Sequence, residues 1–414
     1  MQSDWPTATL GELTINLDTK RRPVKEADRR SGPYPYYGAS GIVDHVDGFL
    51  FEGEHLLIAE DGENLRTRNT PVAFRATGRF WVNNHAHIVK GNGLARTRFL
   101  EYAVLAADLT PYLTGAVMPK LTQGNLNKIE LPCPPLKAQD AVIGVLGSLD
   151  DRIALLRQTN ATLESIAQAL FKSWFIDFDP VRAKAEGREP EGMDAATAAL
   201  FPAGFEESAL GPIPKGWEVR SLDSFASYLN GLALQKYPPE SEDEYLPVIK
   251  IAQLRAGHTV AADRASARLK PEYIVRDGDV LFSWSGSLEV EFWCGGDGAL
   301  NQHLFKVTSD EVPKWFYYLA TRHFLPGFRE IAAHKATTMG HIQRKHLTEA
   351  RIALPPTPVL HEAGRAGASL VERRIANSLQ ARQLAELRDA LLPRLISGKL
   401  RLPEAEREIE EALA

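Results

Sequence analysis

With 414 residues, 44% hydrophobic and 24% charged side chains, the chain has a globular composition and is too long for one compact core. Its net charge is -5, so a nucleic-acid-binding role requires positive charge gathered locally instead of spread over the whole surface. The two cysteines, Cys133 and Cys294, allow neither a disulfide framework nor a four-cysteine zinc site. No apolar run approaches the ~18 residues of a membrane helix, and the start lacks a signal-peptide pattern, so the expected location is a reducing cytoplasm.

Residues 1–136 read as short β-rich runs broken by Gly, Pro, Asn and Asp. Examples are His55–Ala59, Phe80–Val82 and Ala86–Val89, with a helix over Thr97–Ala107. A long helix is predicted within 137–179, because no proline occurs from Ala138 to Trp174 and only Gly144 and Gly147 interrupt good helix formers. Val142, Leu146, Leu149, Ile153, Leu156, Asn160, Leu163, Ala167, Leu170 and Trp174 are spaced 4-3-4-3, a heptad seam that asks for a partner helix. Asn160 is its one polar member and is suited to fixing register. An ordinary long core helix is the alternative.

Residues 180–214 are rich in Pro, Glu, Lys and Gly and read as a surface linker with one helical patch at Asp194–Leu200. Residues 215–357 return to β-rich runs such as Asp279–Ser283, with a helix over Lys314–His323. A second long helix is predicted over 358–400, its apolar face carried by Ile375, Leu379, Leu384, Leu387, Leu391 and Leu395, with Pro393 kinking the last turn. It carries Arg365, Arg373, Arg374, Arg382, Arg388 and Arg394, whereas the first carries Asp140, Asp150, Asp151 and Glu164. Opposite leanings suit an antiparallel pair, although most such charges merely solvate a face. The acidic stretch 401–414 reads as a frayed tail.

The two halves repeat one plan. Trp5-Pro-Thr-Ala-Thr-Leu10 lies over Trp217-Glu-Val-Arg-Ser-Leu222, and Leu57–Gly62 over Leu281–Gly286. Asn83-Asn84-His85 lies over Asn301-Gln302-His303, Pro134-Pro135 over Pro355-Pro356, and Asp151-Arg152-Ile153 over Arg373-Arg374-Ile375. Five pairs in the same order indicate a duplication whose loops differ in length. The expected fold is α+β: two similar mixed α/β domains separated by an antiparallel coiled coil of two long helices, with pseudo-two-fold internal symmetry.

Catalytic signatures are missing: there is no phosphate-binding P-loop, nucleophile elbow, zinc-protease motif or dinucleotide-binding glycine pattern. His85-Ala86-His87 could offer two imidazoles to a metal, but the pair is not repeated, and hydrogen-bonded histidines are the safer reading. Glu60-Asp61-Gly62-Glu63 could hold Mg²⁺, yet its counterpart Ser283-Trp284-Ser285 has no carboxylate. No catalytic and no metal-binding residue is therefore assigned.

Basic charge interleaved with amides, hydroxyls and aromatics stands out instead. In the first half these residues are Lys20, Arg21, Arg22, Lys25, Tyr36, Tyr37, Arg66, Arg68, Asn69, Asn84, Lys120, Thr122, Gln123 and Asn125. In the second they are Lys250, Ser285, Lys335, Thr337, Thr338, His341, Gln343, Arg344 and Lys345. Arg and Lys neutralise phosphates, and Arg, Asn and Gln read base edges in the major groove, so this set is the candidate DNA-binding surface. A single basic loop is usually a solvated face; several loops recurring in both copies point to DNA.

Together these stretches make the chain resemble the specificity (S) subunit of type I restriction-modification enzymes. The resemblance covers essentially the whole chain and rests on Pro35–Ile42, Leu56–Gly62, Trp81–His87 and Leu131–Leu136. It continues through Leu149–Ile153, Leu170–Phe175, Leu210–Trp217 and Asn301–Leu304. It implies two target recognition domains, each reading half of a split, asymmetric DNA sequence, with the paired helices as spacer and docking site. Its implied partners are double-stranded DNA, two methyltransferase subunits and endonuclease/translocase subunits. S-adenosylmethionine, ATP and Mg²⁺ would be bound by those other subunits, leaving this chain non-catalytic. Recognition domains are the variable part of such proteins, so the DNA-contact set is chemical inference from this sequence. The second domain departs more at Lys250-Ile-Ala-Gln253 and at the basic 334–346 loop, so the two half-sites are expected to differ.

Spacing is compatible with that mechanism. A helix of about 37 residues rises roughly 55 Å, and half-sites one helical turn apart lie roughly 34 Å from centre to centre. Two other classes compete with this reading: a self-sufficient DNA methyltransferase or nuclease, and a duplicated scaffold that binds protein and not DNA.

Overall fold

The computed structural model describes residues 4–334 and 340–413. The chain divides into two compact units, Met1–Ile153 with Gln383–Ala414, and Ala154–Arg382. Among the described residues no helix is long and apolar enough to cross a membrane.

The first globular part runs β1 (Thr7–Thr9), α1 (Leu10–Leu13), β2 (Thr14–Asn16), β3 (Ser31–Gly38), β4 (Gly41–Val46), β5 (Phe51–Glu52), β6 (His55–Ala59), α2 (Asn64–Thr67), β7 (Ala73–Ala76), β8 (Arg79–Val82), β9 (Ala86–Gly91), α3 (Thr97–Ala106), α4 (Gln123–Leu126) and β10 (Glu130–Pro132). Its sheets have the orders β2-β9-β6-β7, β4-β3-β8-β5 and β1-β10. All five residues of β6 are buried, because the strand lies between β9 and β7 and is covered on both faces. That is why its sequence is a continuous apolar run and not an alternating one.

Between the globular parts lie α5 (Leu136–Phe175), α6 (Asp179–Ala185), α7 (Ala195–Leu200), β11 (Phe205–Glu206) and β12 (Ile213–Pro214). The second part runs β13 (Glu218–Ser221), α8 (Leu222–Phe225), β14 (Ser227–Asn230), β15 (Leu246–Ile249), α9 (Ile251–Ala256), β16 (Arg264–Ala265), β17 (Ile274–Val275), β18 (Val280–Ser283), β19 (Val290–Phe292), β20 (Gly298–Leu300), β21 (Leu304–Thr308), α10 (Lys314–Ala333), α11 (Arg344–Glu349) and β22 (Arg351–Leu354). Its sheets, β14-β21-β18-β19, β16-β15-β20-β17 and β13-β22, repeat those of the first part strand for strand. Even the unusual pairing recurs: β3 with β8 and β15 with β20 are the parallel neighbours in otherwise antiparallel sheets. The copies diverge after β3 and β15. A tight turn through Gly41, at φ +118°, joins β3 to β4, whereas α9 intervenes between β15 and β16.

Helix α12 (Thr357–Ile396) and α13 (Leu402–Leu413) complete the chain. α5 and α12 run antiparallel. In the first unit Arg388 on α12 pairs with Asp150 on α5 at 2.8 Å. In the second, Asn160 Nδ2 donates to the Arg374 carbonyl at 3.0 Å and Ser378 Oγ at 2.9 Å, while Asn377 Nδ2 donates to Asn160 Oδ1 at 2.9 Å. Val142, Leu146, Leu149, Ile153, Leu156, Leu384 and Leu391 are buried; Leu163, Leu170, Ile375, Leu379 and Leu387 are half-buried.

Three expectations need correction. The 180–214 stretch is not a surface linker: Val181, Phe201 and Ile213 are buried in the aromatic core that also holds Trp174, Phe175, Trp217, Trp315 and Phe316. Apolar residues spaced among the prolines and glycines supply that burial. The acidic end does not fray, because it forms α13, which buries Ala405 and ties Glu408 to Arg394 at 2.8 Å. The helix charges do not merely solvate a face either. Glu164 on α5 accepts from the Tyr318 hydroxyl at 2.9 Å and pairs with Arg374 at 3.0 Å and Arg322 at 2.6 Å. Both arginines also reach Glu291, which draws α10, α12 and β19 around one buried carboxylate. α10 itself runs ten residues past its predicted end, through Pro326 to Ala333.

Two of the helix glycines, Gly147 and Gly367, have a packing reason, whereas Gly144 faces open space. A Cβ on Gly147 would meet the Arg98 guanidinium of α3 at 2.7 Å, and one on Gly367 would meet the Trp315 ring of α10 at 2.8 Å. Alanine gains about 1 kcal/mol of helix propensity over glycine, while overpacking costs about 1–3 kcal/mol. The indole cannot swing aside as the guanidinium can. Gly367→Ala is therefore expected to lower stability in urea unfolding by about 1–2 kcal/mol, with Gly147→Ala within about 0.5 kcal/mol of wild type. Equal effects of the two would show that Trp315 does not limit the fit.

Candidate nucleic-acid interface

Each copy builds its candidate surface at the same place, the end of the central strand beside the turn before its neighbour. In the first copy the end of β6 continues into Glu60 and Asp61, and the turn before β9 carries Asn83, Asn84 and His85. Asn83 Oδ1 accepts from the His85 amide at 2.8 Å, aiming the imidazole so that its Nδ1 lies 2.9 Å from Asp61. Asp61 in turn bridges to Lys120. In the second copy Asn301 Oδ1 accepts from the His303 amide at 3.2 Å, and His303 Nδ1 lies 3.0 Å from Ser285 Oγ. Ser285 bridges to His341. The scaffold is thus repeated down to single hydrogen bonds, and Thr122 and Gln343 stand at equivalent helix N-termini, before α4 and α11.

The chemistry on that scaffold differs. Glu60 is an ionic hub: Arg21 approaches it at 2.7 Å and Lys120 at 3.4 Å. The position equivalent to Glu60 is Trp284. Its indole nitrogen donates to Asn230 at 2.9 Å, and its rings lie 5.9 Å from His303, 6.0 Å from Phe305 and 6.3 Å from His341. Arg344 covers the Phe305 ring at 5.4 Å. His87, whose counterpart is Phe305, is buried with Nδ1 2.6 Å from Asp18 and Nε2 2.7 Å from the Leu121 carbonyl. Burial disfavours ionised Asp18, but the His87 hydrogen bond and charge, the Ile88 amide and Arg21 outweigh it and hold the carboxyl below its usual range.

Several predicted contact residues are spoken for by the fold. Tyr36 is 1% exposed, with its hydroxyl bonded to the Val24 backbone, and Ser285 is likewise buried. Arg21 is enclosed by Asp18, Glu60 and the Ala86 carbonyl. Arg68, at φ +50°, donates to the Leu105 and Ala107 carbonyls and so caps the C-terminus of α3. These four leave the candidate surface, because a guanidinium or hydroxyl already satisfied inside the fold cannot reach a phosphate. Tyr37 packs edge-on to Phe80 and near Phe74, Thr122 caps α4, and Asn125 donates to the Tyr112 carbonyl. Lys250 is ion-paired to Asp263, Gln123 donates to Asn16 at 3.0 Å, and Arg66 donates to the Gly115 carbonyl at 2.8 Å.

Lys20, Arg22, Lys25, Asn69, Asn84, Lys120, Gln343, Arg344 and Lys345 are exposed. His341 is half-buried beside Trp284, and Lys335, Thr337 and Thr338 lie outside the described residues. The residues that residue-type reasoning missed are Trp284 and His303, with His85 left aside as merely hydrogen-bonded. The repeat alignment was the signal that could have found them. Among the described residues no three His, Cys, Asp or Glu side chains gather as a metal would require. Glu60 and Asp61 are each held by a cationic or imidazole neighbour.

The fold and this doubled site define a class. The family described as type I restriction modification DNA specificity domain matches residues 2–165 and 214–366. The chain belongs to that family, as a non-catalytic specificity subunit of a type I restriction-modification system. It is 25% identical to the HindI specificity subunit of Haemophilus influenzae, over 96% of this chain and 100% of that protein. It is 26% identical to the MjaIX specificity subunit of Methanocaldococcus jannaschii, over 97% of this chain and 94% of that one. Its fold resembles the crystal structure of the S subunit of M. genitalium, with a TM-score of 0.54 over 95% and 96% of the two chains at 12% identity.

A depressed carboxyl pKa contributes stability that is present above the unfolded value near 4 and is lost as pH falls through the folded one. Asp18→Asn should therefore be less stable than wild type at pH 6, with the gap closing as the solution is acidified below the unfolded value near 4 and through the lower folded one. A gap independent of pH in acid unfolding would remove the Asp18 charge from the account.

Proposed function

We propose that the chain reads a split, asymmetric DNA sequence, one half through each globular part, and that its helices dock methyltransferase and endonuclease/translocase subunits. S-adenosylmethionine, ATP and Mg²⁺ belong to those partners, and this chain holds no cofactor of its own. The observation that carries the reading is the pairing of one scaffold with two chemistries. Equivalent positions hold Glu60 and Trp284, Asp61 and Ser285, Lys120 and His341. Two like modules would read a palindrome; two modules with an ionic and an aromatic hub suit two different half-sites. The exposed cations supply phosphate contacts that position each module without carrying sequence information.

The deciding experiment maps modified bases across the host genome with and without this chain. Methylation at one bipartite, non-palindromic sequence should disappear when the chain is removed. An unchanged methylome, or methylation by the isolated chain supplied with S-adenosylmethionine, would refute the reading. Lys345 is exposed and forms no ion pair among the described residues. Lys345→Ala should weaken binding at all sequences and reduce the salt slope by about one unit, measured by titration over a range of salt. An unchanged slope takes Lys345 out of the interface.

A further inference from the structure

We propose that Val117 and Met118 form a stiff apolar wedge that enters the base stack of the first DNA half-site. This deepens the DNA-reading proposal and rests on it. Val117 is 95% exposed and Met118 63%, so no described residue covers them. They do not sit on a slack loop. Thr114 and Lys120 exchange backbone hydrogen bonds of 2.8 and 2.7 Å at its base, and Thr114 Oγ1 adds a third to the Lys120 carbonyl at 3.1 Å. The Gly62 amide holds the Pro119 carbonyl at 3.1 Å, and Arg66 holds the Gly115 carbonyl at 2.8 Å. Gly115 takes φ +86° where a Cβ would come 2.2 Å from the Met118 carbonyl, so the turn is built around a glycine.

A loop this well tied presents its tip in one orientation, as an inserted side chain requires. The tip is two residues wide and flanked by the exposed cations Lys120 and Arg66, which also approach Glu60 at 3.4 Å and Glu63 at 3.6 Å. A stable protein contact needs about 800 Å² per partner, which this dipeptide cannot offer alone. Apolar side chains between positive neighbours fit a base step between its phosphates, where such side chains, Met among them, serve as wedges. The same strand-end unit that carries Asp61 and Lys120 holds the loop, which makes it continuous with the proposed interface. In the second copy the sequence has Met339 two residues before His341, as Met118 stands two before Lys120.

The test uses the chain assembled with its methyltransferase subunits and duplexes bearing the mapped site. A single abasic nucleotide is moved through the first half-site. Unstacking that the wedge must otherwise enforce is then already done, so wild type should bind about tenfold tighter at one position besides the methylated base. The Val117→Ala/Met118→Ala variant should bind intact DNA with the wild-type salt slope and keep the gain at the methylated base, but lose the other. Lys120→Ala should do the reverse, with a shallower salt slope and both gains retained. No second position in wild type, or a second gain persisting in the double variant, overturns the wedge. Loss of methyltransferase assembly in the double variant alone also overturns it, by assigning the tip to a protein contact. Failure of the wild-type assembly to bind intact DNA refutes instead the DNA-reading proposal beneath it.

Discussion

The second unit depends on one buried carboxylate. Glu164 projects from α5 into a site where Tyr318 donates to it and Arg322 and Arg374 pair with it, and the two arginines share Glu291 beyond. Three helices and a strand are thereby fixed by groups that cannot be left unpaired, since an isolated buried charge costs several kcal/mol. Phe292 packs tilted against Tyr318 with centroids 4.0 Å apart, and Arg374 lies over both rings. Burial and the carboxylates push the Tyr318 hydroxyl well above its usual range, so it remains a donor. The first unit uses a smaller version: Asp150 accepts from Tyr102 of α3 at 2.6 Å and from Arg388 of α12. In both units a tyrosine from the globular part and an arginine from α12 meet on a carboxylate of α5. Hydrophobic burial along the helices is non-directional; these contacts, with Asn160, select register within each unit.

On that frame the duplicated parts divide their residues into those that hold and those that vary. The asparagine that aims a histidine is kept in both copies, as is the bridge from strand end to loop. What changes is the side chain between them. An anion flanked by Arg21 and Lys120 gives one copy a charge-rich floor, whereas Trp284 among imidazoles and Phe305 gives the other a flat aromatic one. One fold can therefore carry two different surface chemistries without altering its core.

Much of this was legible in the amino-acid sequence. Both long helices follow from apolar periodicity, because spacing is a direct consequence of which face is buried, whereas the repeat came from matching segments and the strands at His55–Ala59 and Val280–Ser283 from short apolar runs between turn residues. The candidate surface was less legible. Lys20 and Lys345 are exposed, but Arg21, Arg68, Tyr36 and Ser285 look the same in sequence and are internal. A cation's partner is set by long-range contacts, Arg21 with Glu60 and Arg68 with Leu105, which no local pattern records. Composition misled in the same way at 180–214, where Phe201 and Ile213 outweigh the surrounding glycines and prolines.

That stretch bears on how such a chain could be divided. Residues that look like a hinge are instead part of a wall: Trp217 and Phe201 close over Phe175 and Trp174, and Phe178 sits edge-on to Trp217. A protease cut or a gene fusion placed there would not release a tidy half-protein. It would strip an aromatic cluster of its cover and leave a sticky fragment, so a joint is better placed where polar turns, and not buried rings, mark the chain.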